Sequence, residues 1–127
     1  MSLGAFSISL AVKDLTASKA FYETLGFETA GGNADQGWLI LRDGATTLGL
    51  FCGMFEKNLL TFNPGWAQDA TPLSSFEDVR ALHAAFTEAG LSTSQEAGLD
   101  GEGPASFVVT DPDGNPVLVD QHVPKPG

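Results

Sequence analysis

An aspartate and a histidine near the C-terminus, Asp120 and His122, are the residues best placed to do chemistry together. They belong to an alternating segment that predicts a strand, in which side chains two residues apart point the same way and lie about 6–7 Å apart. Leu118 shares their face. A carboxylate and an imidazole at this spacing could act as an acid–base pair or hold one cation. Two ligands without a third make a poor metal site. The alternative to a chemical role is that Asp120 and His122 lie at a strand end, where polar residues contact water or a partner subunit.

Two other residues are weaker candidates for chemistry. Cys52 is the only cysteine, which excludes an internal disulfide and fits a reducing, cytoplasmic location. A nucleophilic cysteine needs an adjacent base, and because none is close in the sequence we expect Cys52 to be a small buried hydrophobe. His83 lies within a predicted helix, and we expect it at the solvent edge or in the packing of that helix.

The net charge of −10 is concentrated in the second half of the chain. Residues 1–63 carry four basic and six acidic side chains, whereas residues 64–127 carry two basic and ten acidic. We expect no nucleic acid and no membrane as a partner, because binding to DNA, RNA or an anionic lipid surface requires clustered Lys and Arg. The acidic surface could attract a cationic ligand or serve solubility alone. No stretch approaches the roughly 18 apolar residues of a membrane span, and we expect no signal peptide.

Hydrophobic periodicity predicts similar elements in the two halves. In the first half, alternation over residues 6–12 predicts a strand, and apolar residues at helical spacing predict a helix from about Asp14 to Gly26. In the second half, Ser74 with Glu77, or Ser75 with Asp78, offers a capping-box start to a helix that ends at Gly90. The two helical segments align at an offset of 64 residues with four identities in fourteen positions. Three further strands are predicted in the first half: Phe27–Thr29, Gly37–Arg42 and Thr46–Cys52.

The repeat predicts two βαβββ modules, at about residues 5–52 and 70–122, within a single domain that spans residues 1–127. The connection, residues 53–69, is long for a small domain, and such a segment is usually functional or contains an extra strand. Leu59–Phe62 could be that strand. The aromatic residues of the connection, which include Phe55 and Trp66, could line a pocket, or they could seal the core or a dimer interface.

The two ends of the sequence resemble a known superfamily. The opening residues are Ser9-Leu10-Ala11-Val12-Lys13-Asp14-Leu15, then Ser18, Phe21-Tyr22 and Leu25-Gly26-Phe27, and the closing residues are Phe107-Val108-Val109-Thr110-Asp111-Pro112-Asp113-Gly114-Asn115. This pattern resembles the vicinal oxygen chelate superfamily, which includes glyoxalase I, bleomycin-resistance proteins and extradiol dioxygenases. The resemblance implies an α+β fold, in which two βαβββ modules form a curved sheet with a central cleft, and it implies a homodimer.

The resemblance also implies where a metal would bind. In metal-dependent members, four inward-facing strand positions supply His, Gln or Glu. Those positions fall here on Ser7, Leu48, Thr71 and Leu118, with Gly49 in place of Leu48 if the turn differs by one residue. Aliphatic side chains offer no lone pair to a divalent metal. We therefore expect no metal cofactor, and neither the glyoxalase I nor the extradiol dioxygenase mechanism in its usual form.

Our leading hypothesis is a metal-independent protein that binds a small organic molecule in the former metal cleft, by analogy with bleomycin-resistance proteins. The first alternative is a lyase, isomerase or dioxygenase that uses a displaced metal, or an acid–base pair, at Asp120 and His122. The second is a structural or partner-binding protein with no small ligand. The residues predicted to contact a ligand are Ser7, Ser9, Phe55, Trp66, Leu118, Asp120 and His122.

Overall fold

The computed structural model describes residues 2–127, and within that range the chain forms eight strands and two α-helices. The elements in chain order are β1 (Ala5–Val12), α1 (Leu15–Thr24), β2 (Glu28–Asn33), a 3-10 helix (Ala34–Gln36), β3 (Trp38–Asp43), β4 (Thr46–Cys52), β5 (Leu59–Asn63), α2 (Val79–Glu88), β6 (Thr93–Ala97), β7 (Ala105–Thr110) and β8 (Pro116–Gln121). This order confirms the predicted α+β fold of two βαβββ modules. Neither α-helix in the described range is long and apolar enough to cross a membrane.

The chain divides into two compact units. The first unit is residues 7–59, and the second unit is residues 60–127 together with the N-terminal residues up to Phe6. In the first unit the strand order is β2-β3-β4-β1, with β1 parallel to β4. In the second unit it is β5-β8-β7-β6, with β5 parallel to β8. The same topology therefore occurs twice.

The second module begins earlier than the sequence predicts. Its opening strand is β5, which lies inside the predicted connection of residues 53–69. Residues 64–78 separate β5 from α2, whereas only residues 13–14 separate β1 from α1. The offset of 64 therefore relates the two helices but not the two opening strands. Thr71 lies in the inserted segment and in no strand, so its prediction as an opening-strand position is wrong.

The core of the first unit lies between α1 and one face of its strands. Asp14 caps α1 by accepting a hydrogen bond from the N–H of Ala17, which satisfies one of the free donors at the helix start. Leu41 and Leu50 are fully buried beneath the helix. The partly buried residues packed with this cluster are Leu10, Val12, Leu15, Tyr22 and Phe27.

The core of the second unit has the same arrangement. Val79 and Leu82 of α2 are fully buried against Phe107 of β7 and Val119 of β8. Because side chains alternate along a strand, residues one position away from Val119 must point away from α2. Leu118 and Asp120 therefore lie on the opposite face of β8.

Gln121 ties β8 to the start of α2. Its side chain is completely buried; its Oε1 accepts from the N–H of Val79 at 2.8 Å, and its Nε2 donates to Oδ1 of Asp78 at 2.8 Å. Burial alone would raise the pKa of the Asp78 carboxyl, but hydrogen bonds from Gln121 and Arg80 and the charge of Arg80 lower that pKa below its usual value. The helix cap and the last strand are thus one hydrogen-bonded unit.

We predict that Gln121→Leu lowers the free energy of unfolding by roughly 2–3 kcal/mol, because the N–H of Val79 and part of the Asp78 carboxylate lose their buried partner. Urea denaturation monitored by circular dichroism measures the change. The control is Asp14→Ala at the exposed cap of α1, which should cost about 1 kcal/mol. A smaller loss for Gln121→Leu than for this control would contradict the role of Gln121.

Candidate functional site

In each unit, one strand face packs under the helix and the other points away from it; we call the second the helix-free face. On β1, Leu10 and Val12 contact the α1 core, so alternation places Ser7 and Ser9 on the helix-free face of the first unit. Ser9 is buried, with 5% of its surface exposed. Both serines thus lie on the face that the resemblance assigns to a metal or ligand.

The resemblance places a metal-ligand position of the first module at Leu48 or, alternatively, at Gly49. Only Gly49 lies on the helix-free face. Leu48 is two residues from the buried Leu50 and pairs across the strands with the buried Leu41, so it points toward α1. Gly49 pairs with Ser9 on the helix-free face. A Cβ atom on Gly49 would lie 2.5 Å from Cε2 of Phe51, so the ring of Phe51 already fills the space where a larger side chain would begin.

The corresponding position in the second unit is Thr61 of β5. Thr61 pairs in parallel register with Leu118, just as Ser9 pairs with Gly49 in the first unit. Thr61 is 6% exposed. The sequence did not point to it because residues 64–78 shift the opening strand relative to the helix. The positions that the resemblance assigns to a metal, called the former metal positions below, therefore correspond to Ser7 and Gly49 on the helix-free face of the first unit and to Thr61 and Leu118 on that of the second.

Three aromatic residues form a cluster on the first unit, which we call the aromatic cluster: Trp38, Phe51 and Phe55. Trp38 and Phe51 face each other across β3 and β4 with nearly parallel rings, 3° between planes and 6.2 Å between centroids. Phe55 lies 5.3 Å from Phe51. All three are half-buried. Phe55 was predicted as a ligand contact, whereas Trp38 and Phe51 were not, although alternation with Leu39 and Leu50 puts them on this face.

The second unit brings together Trp66, Asp120 and His122, which we call the histidine cluster. Nε2 of His122 lies 3.2 Å from Oδ2 of Asp120. The imidazole also stacks on the indole of Trp66, with 4.6 Å between ring centroids and 9° between planes. The side chains of His122 and Asp120 are 48% and 30% exposed. The three residues were predicted from sequence, but their contact was not.

The inserted segment 64–78 holds Trp66 in place. The N–H of Trp66 donates to the carbonyl of Asn63, and its carbonyl accepts from the N–H of Ala5. The preceding Gly65 has φ +93°, and a Cβ there would lie 2.3 Å from Cγ2 of Val123; only glycine fits without rearrangement. The amide of Gln68 binds both the N–H and the carbonyl of Phe6. Trp66 therefore sits on a backbone anchored at several points.

The electrostatics of the histidine cluster favour an imidazolium. The hydrogen bond to Asp120 raises the pKa of His122 above its usual value; burial opposes this shift, and the charge of Asp120 adds to it. A cation on an indole face gains further stabilisation from the ring quadrupole. Within residues 2–127, no group of three or more His, Cys, Asp or Glu side chains is close enough to hold a metal. Asp120 and His122 bind each other rather than forming part of a larger ligand set.

The remaining candidates lie elsewhere. His83 contacts Thr93 and Glu96 through Nε2 and meets the edge of Phe107, which agrees with its prediction as a packing residue of α2. Cys52 is half-buried rather than buried, and its Sγ lies 3.6 Å from the carbonyl of Lys13. Neither residue contacts the aromatic cluster or the histidine cluster through these interactions.

Comparison with known families gives one match over most of the chain. Residues 4–119 match the model of the Glyoxalase/Bleomycin resistance protein/Dioxygenase superfamily. A comparison with curated protein sequences finds no match.

Solved structures of low sequence identity have the same fold. A glyoxalase/bleomycin resistance protein/dioxygenase superfamily member from Vibrio splendidus 12B01 is 16% identical, with a TM-score of 0.65, covering 91% of this chain and 97% of that one. A protein described as an NAD-dependent benzaldehyde dehydrogenase from Legionella pneumophila is 18% identical, with a TM-score of 0.68, covering 92% and 98%. The Mn(II)-bound glyoxalase from Novosphingobium aromaticivorans is 23% identical, with a TM-score of 0.57, covering 94% and 38%.

We predict that His122 titrates above the usual histidine pKa of about 6.5 and that Asp120→Asn lowers its pKa, because the hydrogen bond and the charge of Asp120 are the causes of the shift. Since the folded pKa exceeds the unfolded one, the stabilisation from this pair is complete below about pH 6.5 and is lost as the pH rises through the folded pKa. NMR titration of the imidazole protons measures both pKa values.

The chain has two histidines, so the spectrum of His122→Gln assigns the remaining signal to His83, which serves as an internal control. An unchanged titration of His122 in Asp120→Asn would show that the contact with Asp120 does not set its protonation.

Proposed function

The chain belongs to the glyoxalase/bleomycin resistance protein/dioxygenase superfamily, and from this premise we propose that it binds a small organic molecule without a divalent metal. Some of the proposed contacts lie on the helix-free faces of the strands, and Phe55, Trp66 and His122 lie outside the strands. The proposed contacts are Ser7, Ser9 and the aromatic cluster in the first unit, and Trp66, Leu118, Asp120 and His122 in the second.

The observation that carries this proposal is the chemistry of the former metal positions. Leu118 presents an isobutyl group and Gly49 presents no side chain, on the faces where the resemblance calls for His, Gln or Glu. Serine and threonine hydroxyls at the other positions are poor ligands for the divalent metals of this family. A face of this composition suits a partly apolar organic ligand better than a metal ion.

The aromatic cluster supplies the apolar contact that such a ligand needs. Trp38, Phe51 and Phe55 each keep part of their ring exposed, and rings of this kind favour planar partners through stacking and edge contacts. Ser7 on β1 offers a hydroxyl that can fix a polar group. This combination, an apolar wall with a few polar groups, is typical of small-molecule sites.

The analogy with bleomycin-resistance proteins supports binding rather than catalysis as the first hypothesis. The net charge of −10 favours a ligand with positive charge over an anionic one. We further propose that the chain forms a homodimer, as the resemblance implies, with no nucleic acid or membrane as a partner.

A second candidate function is catalysis, and the contact between Asp120 and His122 is the observation that favours it. A carboxylate that accepts a hydrogen bond from Nε2 leaves Nδ1 as the nitrogen that could exchange a proton with a substrate. A lyase or isomerase that relies on this pair would lose its activity in His122→Gln, whereas a binding protein would retain its ligand contacts in the first unit.

We predict that the protein binds the neutral fluorescent probe N-phenylnaphthylamine in the presence of a chelator and that Phe51→Ala weakens this binding about three- to tenfold, because one face of the aromatic cluster is lost. Fluorescence titration measures the dissociation constants. Urea denaturation of the variant checks that it remains folded.

The matched control is Phe21→Ala, which removes a ring that is 60% exposed on α1 and should leave the affinity unchanged. If the chelator abolishes probe binding, the proposed metal independence is wrong. If Phe51→Ala and Phe21→Ala weaken binding equally, the proposed location of the site is wrong.

A further inference from the structure

Trp66 and Asp120 present an aromatic face and a carboxylate to one side chain, that of His122. An aromatic face next to a carboxylate is the pair of groups that proteins use to hold organic cations, because the ring quadrupole and the negative charge both attract positive charge. We propose that Trp66 and Asp120 form a binding site for an organic ammonium ion and that His122 occupies this site as an internal competitor. The proposal deepens the proposed function, since it names a ligand class for part of the same face.

The position of His122 is that of a bound cation. Its ring lies parallel to the indole, 9° between planes and 4.6 Å between centroids, while Nε2 contacts Oδ2 of Asp120 at 3.2 Å. Both groups that would recognise a ligand cation are therefore engaged by the imidazole. A ligand that stacks on the same indole face while it contacts Oδ2 of Asp120 must displace this ring.

The backbone that carries the two recognition groups is hydrogen-bonded, whereas the side chain that covers them is at a strand end and half exposed. The backbone of Trp66 is held by Asn63 and Ala5, and the carbonyl of Asp120 accepts from Nδ2 of Asn63 at 2.9 Å. His122 follows the last residue of β8 and has 48% of its side chain exposed. A rotation about its side-chain bonds would expose the indole face and the carboxylate, so binding would need no movement of the strands.

The charge around the site favours a cation. Residues 64–127 carry ten acidic and two basic side chains, and one of the two, Arg80, is committed to Asp78 and to the carbonyls of Gly98 and Gly103. A field of this sign concentrates cations and repels anions. An ammonium ligand is therefore the class that the second unit suits.

Protonation of His122 should oppose the binding of a ligand cation. Asp120 is the charged group that acts on the imidazole. The acidic groups of the adjoining segment 64–78 have other partners: Asp69 accepts from Thr71, Asp78 accepts from Arg80 and Gln121, and Glu77 also has a partner. The imidazolium holds Asp120 more strongly than the neutral ring does. The affinity for an ammonium ligand should thus rise with pH until His122 is neutral, and binding should release up to one proton.

The experiment is isothermal titration calorimetry with choline from about pH 5.5 to about pH 8.5, a range that brackets histidine titration. For the unmodified protein we expect the affinity to increase roughly tenfold per pH unit below the pKa of His122, because only the fraction with a neutral imidazole is competent. Buffers of different ionisation enthalpy report the proton released on binding. The neutral control ligand is dimethylbutanol, used as the isomer with a tert-butyl group in place of the trimethylammonium group, which has the shape of choline without its charge.

Two variants test the roles of the residues. His122→Asn should bind choline with an affinity that no longer depends on pH and that exceeds the unmodified protein's affinity at the acidic end. Asp120→Asn should bind choline at least tenfold more weakly at the alkaline end, where the carboxylate of the unmodified protein is free. Urea denaturation confirms that each variant is folded before it is titrated.

The inference is overturned if choline and dimethylbutanol bind equally, if affinity falls as the pH rises, or if folded His122→Asn binds no choline. Binding of N-phenylnaphthylamine to the same proteins keeps this result separate from the proposed function. If the unmodified protein binds the probe but not choline, the ammonium site alone is refuted. If it binds choline but not the probe, the role of the aromatic cluster is refuted.

Discussion

Burial of Leu50 beneath α1 and of Val119 beneath α2 determines which residues occupy the other side of β4 and β8. Because strand side chains alternate, Gly49 and Leu118 must point away from the helices. The apolar core that stabilises each unit therefore also selects the residues of its helix-free face. In this chain the selected residues offer no carboxylate or imidazole at the former metal positions, and aromatic rings lie beside one of them.

The two modules share a topology but differ in the side chains at their surfaces. The first unit connects β1 to α1 through residues 13–14 and exposes the aromatic cluster. The second unit inserts residues 64–78 at the same point, and this segment carries the indole that stacks on His122. A repeated fold thus presents different side chains in its two units: stacked aromatic rings in the first, and an indole and a carboxylate in contact with a histidine in the second. The insertion accounts for Trp66, whereas the aromatic cluster comes from β3, β4 and Phe55.

Local sequence signals predicted the elements well and the site only in part. Asp14 and Gly90 marked helix ends because caps and stop signals act within one turn. The N-cap of α2 is Asp78, so the prediction of Ser74 or Ser75 as that cap is wrong. The face shared by Leu118, Asp120 and His122 followed from alternation alone. Of the two positions predicted in β4, Gly49 is right and Leu48 is wrong, because a one-residue change of register reverses a strand face. Thr71 was assigned wrongly because an insertion breaks the offset between modules. The stacking of Trp66 on His122 joins residues far apart in sequence, and no local pattern encodes such a contact.

We propose that this member of the superfamily functions without a divalent metal. The direct test is elemental analysis of protein purified without chelators, together with its unfolding temperature in the presence of nickel, zinc, manganese or iron. We expect no stoichiometric metal and no rise in unfolding temperature, because a ligand that binds only the folded state must raise it. One equivalent of bound metal per chain, retained in the unmodified protein and lost in His122→Ala, would contradict metal-independent function.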